Sequence, residues 1–412
     1  MGGQQFAEAS HLIDTRSMNQ VIDFDPERGL VEVECGIQWP ALVEYLNRVQ
    51  EGSREQWTIP MKQTGADNLT IGGALAANVH GRTLTKKPFI GDTECLLLVN
   101  ADAEVLRCSR KDHSELFSLA IGGYGLFGVA HSMTMRLAKR EKIERKVEVM
   151  SIRDLIKRFA ERIDSGYTSG DFQFAIDDKS SDFLKEGVFA CYRPVDWDTP
   201  IPSDQKKVSE RAWNELVYLA HTDKAKAFQL YAEYYLQTSG QVYWSDTSQL
   251  GGYDDGYHKA FDKRVRAEHP GSEMITELYV PRNQLHTFMD SAAESLRKTR
   301  GSVIYGTIRL VKRDDESYLA WAKDDFACVI FNLHVDHTPE GIETAKRSFR
   351  GLIDCALALS GSYYLTYHRW ATQDQVERAY PQFRKFLSKK LEYDPEGRFQ
   401  SEWYRHYRTM FA

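Results

Sequence analysis

The sequence predicts an α+β protein that is built from two domains. Its 412 residues exceed the size at which a single hydrophobic core stops growing. Segments with an apolar residue at every second position alternate with segments at helical spacing, which indicates strands mixed with helices. In the middle of the chain the strand-like segments are separated by long helical ones, which favours a sheet with helices on one face.

The first third of the chain contains short strands and one clear helix. Apolar alternation over residues 11–25 and 29–37 is broken by aspartate, proline and glycine between them, which predicts two strands joined by a turn. Residues 40–50 have apolar positions at helical spacing, and Pro40 suits the first turn of a helix. A short buried strand is expected at residues 57–60.

Composition and charge exclude several classes of protein. The chain is 42% hydrophobic and 27% charged, which is ordinary for a globular protein. A net charge of -6 argues against nucleic acid as a partner. The six cysteines are scattered without the spacing of a zinc motif, so we expect reduced thiols and no metal. No transmembrane segment or export signal is recognisable, so we expect a cytoplasmic protein.

A glycine-rich segment over residues 64–82 is the most informative part of the chain. The pair Gly72 and Gly73 precedes small residues of helical character, and the segment closes on His80. Paired glycines allow the backbone to approach a ligand, and a helix behind them directs N–H groups at an anion such as pyrophosphate. A tight strand-to-helix turn with close packing explains the same residues, and the sequence alone does not separate the two.

A second glycine cluster spells GxGxxG at Gly123, Gly125 and Gly128. This string suggests a Rossmann fold, which requires a strand before the glycines and a helix after them. Here the preceding residues have helical spacing, with an N-cap expected at Asp112 or Ser114, and the following residues alternate like a strand. The order of elements is reversed, so we predict that the cluster is not a Rossmann motif.

Several segments in a fixed order resemble a known family. They include GGQQ, LIDTRSMNQV, TIGGALAANVHGR and IGGYGLFGVA within residues 1–138, and YYLTYHRWAT and YDPEGRFQSEW near residues 361–403. Together they resemble the vanillyl-alcohol oxidase and para-cresol methylhydroxylase (PCMH) superfamily of FAD-linked oxidases. Alditol, sugar-lactone and decaprenylphosphoryl-ribose oxidases are the most similar members.

The resemblance implies a division of the chain and a cofactor. It implies a PCMH-type FAD-binding domain over residues 1–140, a substrate or cap domain with an antiparallel sheet over 141–355, and a segment over 356–412 that returns to the FAD domain. The cofactor is expected to be FAD. Relatives have a βαβ-like piece before the phosphate loop, and this chain opens inside that loop, so we expect an FAD domain that is truncated at its N-terminus.

The resemblance also implies which residues bind FAD. The phosphate loop contributes Gly2, Gly3, Gln4 and Gln5. On the pyrophosphate and isoalloxazine side the residues are Gly65, Asn68, Gly72, Gly73, Asn78 and His80, and a core histidine remains the alternative for His80. On the adenine and ribose side they are Gly123, Gly125, Gly128 and Val129.

Four residues are candidates for the chemistry. Arg309 matches an arginine that faces the substrate in the alditol oxidases, and Lys312 lies on the same predicted strand. In the LTYHRW segment, relatives place a lysine or a histidine near the flavin, and Tyr367 and His368 fall closest to it here. His368 is a candidate base, and Tyr367 is a candidate proton donor or stacking wall. Ordinary strand residues remain the alternative for each.

Three functions stay open on the sequence alone. The first is oxidation of a CH–OH group of a polyol, sugar lactone or related small-molecule alcohol, with O2 or another electron acceptor. The second is an FAD-dependent reductase or dehydrogenase that acts on a C=C bond or a lipid-linked sugar. The third is a truncated and inactive protein with a flavin-binding fold.

Overall fold

The structure is a computed structural model that describes residues 6–251 and 257–412. The strands are β1 (Val21–Asp25), β2 (Leu30–Glu34), β3 (Trp57–Thr58), β4 (Thr93–Val99), β5 (Val105–Ser109), β6 (Val129–Arg136), β7 (Ala138–Lys139), β8 (Lys142–Ser151), β9 (Ser169–Phe174), β10 (Glu186–Val195), β11 (Val242–Trp244), β12 (Gly271–Pro281), β13 (Ser302–Val311), β14 (Phe326–Asp336) and β15 (Ser362–Tyr363). The helices are α1 (Trp39–Val49), α2 (Ile71–Ala77), α3 (Ser114–Ala120), α4 (Leu155–Asp164), α5 (Glu210–Thr222), α6 (Lys224–Leu236), α7 (Tyr257–Val265), α8 (Leu285–Thr299), α9 (Pro339–Ala358), α10 (Gln373–Ala379), α11 (Phe383–Tyr393) and α12 (Glu402–Met410).

The first part of the chain forms a five-stranded antiparallel sheet in the order β1-β2-β6-β4-β5. The predicted strand pair at the front is confirmed as β1 and β2. Helix α1 begins at Trp39 with a proline in its first turn, as the sequence predicted. Its apolar stripe, which includes Leu42 and Leu46, is buried in the core of the protein.

The element order around the second glycine cluster is confirmed. Helix α3 ends at Ala120, the glycines follow, and strand β6 begins at Val129. The residue before α3 is His113, in the left-handed region and without a side-chain cap, so the expected N-cap at Asp112 or Ser114 is wrong. The side chain of Asp112 instead bonds with Ser109 in the preceding turn, at 3.2 Å. The cluster is therefore a connection between a helix and a strand, unlike a Rossmann motif.

The middle of the chain forms an eight-stranded antiparallel sheet in the order β11-β8-β10-β9-β13-β14-β12-β15. Its last strand, β15, comes from the C-terminal segment and pairs with β12. Residues paired across antiparallel strands share a face, so the register places Glu277, Ile330 and Thr307 on one face. The hydrophobic core is continuous from the small sheet into this large sheet.

Helices cover both faces of the large sheet, whereas the sequence suggested one. Helices α8 and α9 pack on one face, and α5 and α6 lie over the other. The long helical stretch over residues 210–236 is broken at Asp223, whose side chain caps α6 by accepting the N–H of Lys226. That break lets α5 and α6 fold against each other as a hairpin and bury Leu219 and Ala227. No helix in the described parts of the chain is long and apolar enough to cross a membrane.

Gly123 and Gly125 of the second cluster are required for different reasons, so alanine substitutions should lower the stability by different amounts. A Cβ on Gly123 would lie 1.9 Å from the carbonyl oxygen of Leu119, whereas Gly125 has φ +73° and no atom within 4 Å of such a Cβ. We expect Gly123→Ala to lower the free energy of unfolding by about 3 kcal/mol through the clash. Gly125→Ala should cost about 1 kcal/mol, from its backbone conformation alone. Urea unfolding of both variants measures this, and equal losses would contradict it.

Candidate active site

A cavity of about 790 Å³ lies between the first part of the chain and the large sheet. Its floor is the face of the sheet that carries Glu277, Arg309 and Asn332. Its walls come from the glycine-rich segment, from helices α5 and α6, and from the C-terminal segment. Of the residues that the sequence singled out, Gly65, His80, Arg309 and Tyr367 line this cavity. The fold therefore brings together residues that are as much as 302 positions apart, from 65 to 367.

Glu277 is the centre of a buried hydrogen-bond network at the cavity. Its Oε2 lies 2.9 Å from Nε2 of His80 and accepts the hydroxyl of Tyr279 at 2.8 Å, while Oε1 accepts the hydroxyl of Tyr367 at 2.8 Å. Burial alone would raise the pKa of Glu277, but His80, Tyr367 and the nearby Arg309 outweigh it and hold the pKa below its usual value. The carboxyl group is therefore ionised.

His80 contacts an oxygen atom through each ring nitrogen. Its Nε2 lies 2.9 Å from the carboxylate of Glu277, and its Nδ1 lies 3.1 Å from the carbonyl oxygen of Gly81. The ring also packs on Trp321, with centroids 5.1 Å apart. His80 and Glu277 thus form a buried, hydrogen-bonded pair beside the cavity.

Arg309 supplies a positive charge with a free donor. Its guanidinium donates to the hydroxyl of Thr64, while its Nε is buried without a hydrogen bond to any described residue. Burial tends to lower the pKa of Arg309, but Tyr305, Asp171 and Glu277 outweigh it and raise the pKa, so the group stays charged. Asn332 Oδ1 is likewise buried without a hydrogen bond among the described residues. Unsatisfied buried polar atoms in a cavity are expected where a ligand binds.

Lys312 and His368 do not reach the cavity. Lys312 follows the end of β13 and pairs at the surface with Asp325, at 2.5 Å. His368 contacts Thr276 at 3.1 Å, and that residue neighbours Glu277 and so points to the opposite face of the sheet. The imidazole of His368 stacks on Phe349 of helix α9, with ring centroids 4.6 Å apart. The structure therefore separates His368 from its neighbour Tyr367 and places it in the core.

The burial of His368 predicts a specific loss of stability in acid. Burial lowers its pKa to about 3, whereas an unfolded chain holds a histidine pKa near 6.5. The unfolded state thus binds the proton first, so the stability from the neutral ring is complete above about pH 6.5 and is lost as the pH falls toward 3. We expect His368→Phe to reduce the stability difference between pH 7 and pH 4 by about 3 kcal/mol.

Urea unfolding at the two pH values measures this loss. The control is His286→Gln, because His286 lies in a half-exposed position on α8, where it pairs with Asp290. An unchanged pH dependence in His368→Phe, or an equal change in the control, would contradict the assignment of His368 to the core.

The two paired glycines sit inside helix α2 and not before it. The amide of Gly72 donates to the carbonyl of Cys35 at 2.8 Å, and that of Gly73 donates to the side chain of Thr70 at 3.1 Å. A Cβ on Gly72 would lie 2.9 Å from the same carbonyl oxygen of Cys35. Close packing therefore explains Gly72, and neither amide is free for a phosphate in this structure. The N-cap residue Thr70 and the carbonyl of Cys35, which follows β2, already accept the hydrogen bonds of these two amides.

The other sequence-predicted residues lie beside the cavity or outside the described chain. Asn78 ends α2 in the left-handed region and is buried, with its amide nitrogen 2.9 Å from Asp314. Asn68 is exposed, and its carbonyl accepts the side chain of Gln38. The loop at Gly123, Gly125, Gly128 and Val129 packs on the end of α2, through bonds from Gly122 and Tyr124 to the carbonyls of Leu75 and Ala76. Gly2, Gly3, Gln4 and Gln5, which were predicted to bind phosphate, lie outside the described residues.

Comparisons with known proteins identify an FAD-binding segment and related oxidoreductases. A family model for an FAD-binding domain matches residues 1–109. The chain is 23% identical to the L-gulono-1,4-lactone dehydrogenase of Mycobacterium tuberculosis over 396 residues, which cover 96% of this chain and 85% of that protein. It is 23% identical to cytokinin dehydrogenase 3 of Arabidopsis thaliana over 420 residues, with 96% and 76% covered. Cytokinin dehydrogenase 9 of Oryza sativa subsp. japonica is 35% identical over 92 residues, which are 22% of this chain and 18% of that protein.

Residues 1–109 contain a PCMH-type FAD-binding domain, and the proteins that match this chain are members of the FAD-linked oxidases. The chain is an FAD-dependent oxidoreductase, and the expected fold class is confirmed. The resemblance stated from the sequence motifs is confirmed as well.

Several residues of this oxidoreductase are compatible with FAD bound at the cavity. Gly65 and His80 belong to the matched FAD-binding segment and line the cavity wall. Gly65 has φ +80°, a backbone conformation that favours glycine. No side chain therefore projects into the cavity wall at that point. The exposed Gly125 leaves open space at its Cα, as a close approach of a ligand to the backbone requires. The unsatisfied donor of Arg309 adds a positive charge suited to a flavin that gains electrons.

Sequence reasoning missed four polar residues at or beside the cavity. Glu277, Tyr279 and Asn332 lie on strands β12 and β14, in segments that read as apolar core strands. Lys62 is fully buried beside the cavity residue Gln63 and pairs with Asp67 at 2.7 Å. Burial lowers the pKa of Lys62, and the carboxylate only partly offsets this. A charged residue within an apolar strand was the available signal for Glu277, because an unpaired buried charge is too costly to occur without a partner.

Proposed function

We propose that this FAD-dependent oxidoreductase oxidises a CH–OH group of a polyol, sugar lactone or related small alcohol in the cavity above Glu277. The proposal rests on one observation: Arg309, Tyr367 and the hydrogen-bonded pair of His80 and Glu277 meet at one cavity beside the FAD-binding segment. The similarity to an enzyme named for L-gulono-1,4-lactone supports a hydroxylated substrate. We also propose the division at residues 140 and 355 into an FAD-binding domain, a cap domain and a returning segment.

The chain's own groups can take the proton of the alcohol. The hydroxyl of Tyr367 already donates to Oε1 of Glu277, so its oxygen can accept a proton from the substrate as its own proton passes to the carboxylate. Burial raises the pKa of Tyr367 well above its usual value, which keeps the phenol protonated until then. Glu277 is a weak base because its pKa is lowered. A weak base suffices because the hydroxyl becomes strongly acidic while its carbon loses hydride.

Arg309 holds the substrate oxygen and compensates negative charge. Its unsatisfied Nε can donate to an oxygen of the substrate, and its fixed charge faces the site where charge changes during the reaction. The chemistry that FAD supplies when bound is the acceptance of the two electrons from the carbinol carbon. With FAD bound, the alcohol would lose its hydroxyl proton to the protein and a hydride to the cofactor, which would leave a carbonyl group.

The electron acceptor after FAD is proposed to be a molecule other than O2. The support is that the relatives matched over nearly the whole chain are named as dehydrogenases. Purified FAD-loaded protein is mixed with L-gulono-1,4-lactone or with sorbitol, and H2O2 formation is compared with reduction of an artificial dye. Dye reduction without H2O2 is the expected result. Substrate-dependent H2O2 formation at the same rate would show an oxidase. The absence of both H2O2 formation and dye reduction would overturn the proposed activity.

A lipid-linked sugar is the second candidate substrate, and one feature favours it. The cavity adjoins a second, apolar pocket of about 90 Å³, with which it shares Trp213, Tyr231 and Tyr305. The walls of that pocket include Phe174, Phe228 and other carbon-rich side chains that suit a hydrocarbon chain. A sugar that carries an alkyl chain should then have a lower KM than the free sugar. Equal KM values would exclude this candidate.

A further inference from the structure

We propose that His221, Glu273 and His334 bind a divalent transition metal ion of the zinc type. The three residues come from helix α5, strand β12 and strand β14, so the site is assembled only by the folded cap region. The site is separate from the network of His80 and Glu277. It contains no cysteine, so the cysteine spacing that argued against a zinc motif is not relevant to it. The proposal is independent of the substrate assigned above.

The ligand atoms converge at distances that suit a bound ion. Oε1 of Glu273 lies 3.1 Å from Nε2 of His221 and 3.4 Å from Nδ1 of His334, and all three atoms lie within 4.8 Å of one another. Nitrogen and oxygen ligands bind Zn²⁺ at about 2.0–2.1 Å, which puts them roughly 3.4 Å apart around a tetrahedral ion. Glu273 and His334 face each other directly across β12 and β14, which fixes two of the three positions.

Direct hydrogen bonds leave part of this cluster unsatisfied. Nε2 of His221 and Oε2 of Glu273 are buried, and neither makes a hydrogen bond to any residue that the structure describes. The side chains of both residues are almost fully buried, with exposed fractions of 5% for His221 and 6% for Glu273. A buried carboxylate whose oxygen lacks a hydrogen-bond donor is costly, and a cation between the three groups removes that cost.

The surroundings of His334 also match those of a metal ligand. Its Nδ1 points to Glu273, and its Nε2 lies 3.3 Å from Oδ1 of Asp336. A ligating histidine usually donates its second N–H to a carboxylate, which leaves the first nitrogen unprotonated for the ion. A Cβ on Gly271 would lie 2.4 Å from the imidazole ring of His334. The absence of a side chain at Gly271 therefore leaves the space that the ring occupies.

A third imidazole lies next to the three ligands. The Nε2 of His258, on α7, accepts the backbone N–H of Glu273 at 3.1 Å and contacts its carboxylate. Imidazole nitrogens with one carboxylate are ligands that Zn²⁺ prefers, whereas Ca²⁺ and Mg²⁺ prefer oxygen ligands alone. Three protein ligands leave one tetrahedral position for water. A metal here would fasten α5 to the sheet, on the face that also forms the cavity floor.

Zinc binding to the FAD-loaded full-length protein tests the proposal. The protein is treated with a chelator, titrated with ZnCl₂ in a calorimeter, and analysed for retained zinc after desalting. We expect one zinc ion per chain. His334→Asn and His221→Asn should each weaken binding by more than about 100-fold, because even an outer partner of a ligand contributes roughly 10- to 100-fold. Retained FAD and an unchanged circular dichroism spectrum show that the variants are folded.

A matched control lies beside the ligands. His337 bonds with the hydroxyl of Ser272 at 2.9 Å and is not one of the three, so His337→Asn should bind zinc as the unsubstituted protein does. A second readout is the melting temperature of the unsubstituted protein, which a chelator should lower and zinc should restore. Absence of stoichiometric zinc binding, or equal affinity in His334→Asn, overturns the proposal and leaves the cluster as histidine–glutamate ion pairs.

Discussion

Replacing Glu277 by glutamine is expected to lower kcat by about 10²- to 10⁴-fold, the usual contribution of a positioned acid or base. The amide keeps the shape of the side chain but removes the negative charge that receives the proton through Tyr367. It also leaves the imidazole of His80 without its anionic partner. Rapid mixing of the FAD-loaded variant with substrate under anaerobic conditions measures the rate at which the flavin is reduced.

The control for this variant is Glu148→Gln. Glu148 is also a partly buried carboxylate that pairs with two arginines, Arg158 and Arg162, but it does not line the cavity. It should therefore lose stability without losing the rate of flavin reduction. If Glu277→Gln binds FAD and reduces it at the rate of the unsubstituted protein, the proton pathway through Tyr367 is wrong.

Arg309→Met is expected to lower kcat/KM by roughly 10- to 150-fold. A hydrogen bond from a charged donor contributes about 1.5–3 kcal/mol, and each 1.4 kcal/mol corresponds to a tenfold change. The loss should appear in both KM and kcat, because the free Nε is expected to bind the substrate oxygen and to stabilise charge during the reaction. Steady-state kinetics with dye reduction separates the two constants.

Arg282→Met is the matched control for that variant. Arg282 also has a buried Nε without a hydrogen bond among the described residues, but it donates to the carbonyl of Val311, away from the cavity. Both substitutions remove an arginine whose Nε is buried and unpaired among the described residues, so the difference between them isolates the effect of the cavity. Equal kcat/KM values in the two variants would remove Arg309 from the site.

Local patterns in the sequence were sufficient for the element order around the glycines. Helical spacing before Gly123 and alternation after Gly128 gave the correct helix and strand, because both patterns depend on neighbours within a few residues. The same reasoning gave the wrong cap for α3. Helix caps depend on individual backbone angles, and the left-handed residue at His113 leaves no trace in the apolar pattern.

The active-site network could not be read from local patterns. Glu277 meets His80 and Tyr367 only through the pairing of β12 with β14 and β15 and the packing of the glycine-rich segment on the sheet. Tyr367 and His368 are neighbours in sequence, and the structure sends one to the cavity and the other to the core. Which of two neighbouring residues faces a ligand depends on the register of the segment relative to the sheet. A register shift of one residue would turn the other side chain toward the ligand.

Anaerobic reduction of bound FAD by an alcohol substrate tests the central claim most directly. The claim is that the cavity above Glu277 is the site where a CH–OH donor gives its electrons to the flavin. FAD-loaded protein is titrated with L-gulono-1,4-lactone in the absence of O2 while the visible absorbance of oxidised flavin is recorded. The account predicts bleaching in the unsubstituted protein and at least about 100-fold slower bleaching in Glu277→Gln, with FAD still bound. Retained absorbance in the unsubstituted protein with this lactone, with sorbitol and with an alkyl-linked sugar would contradict it.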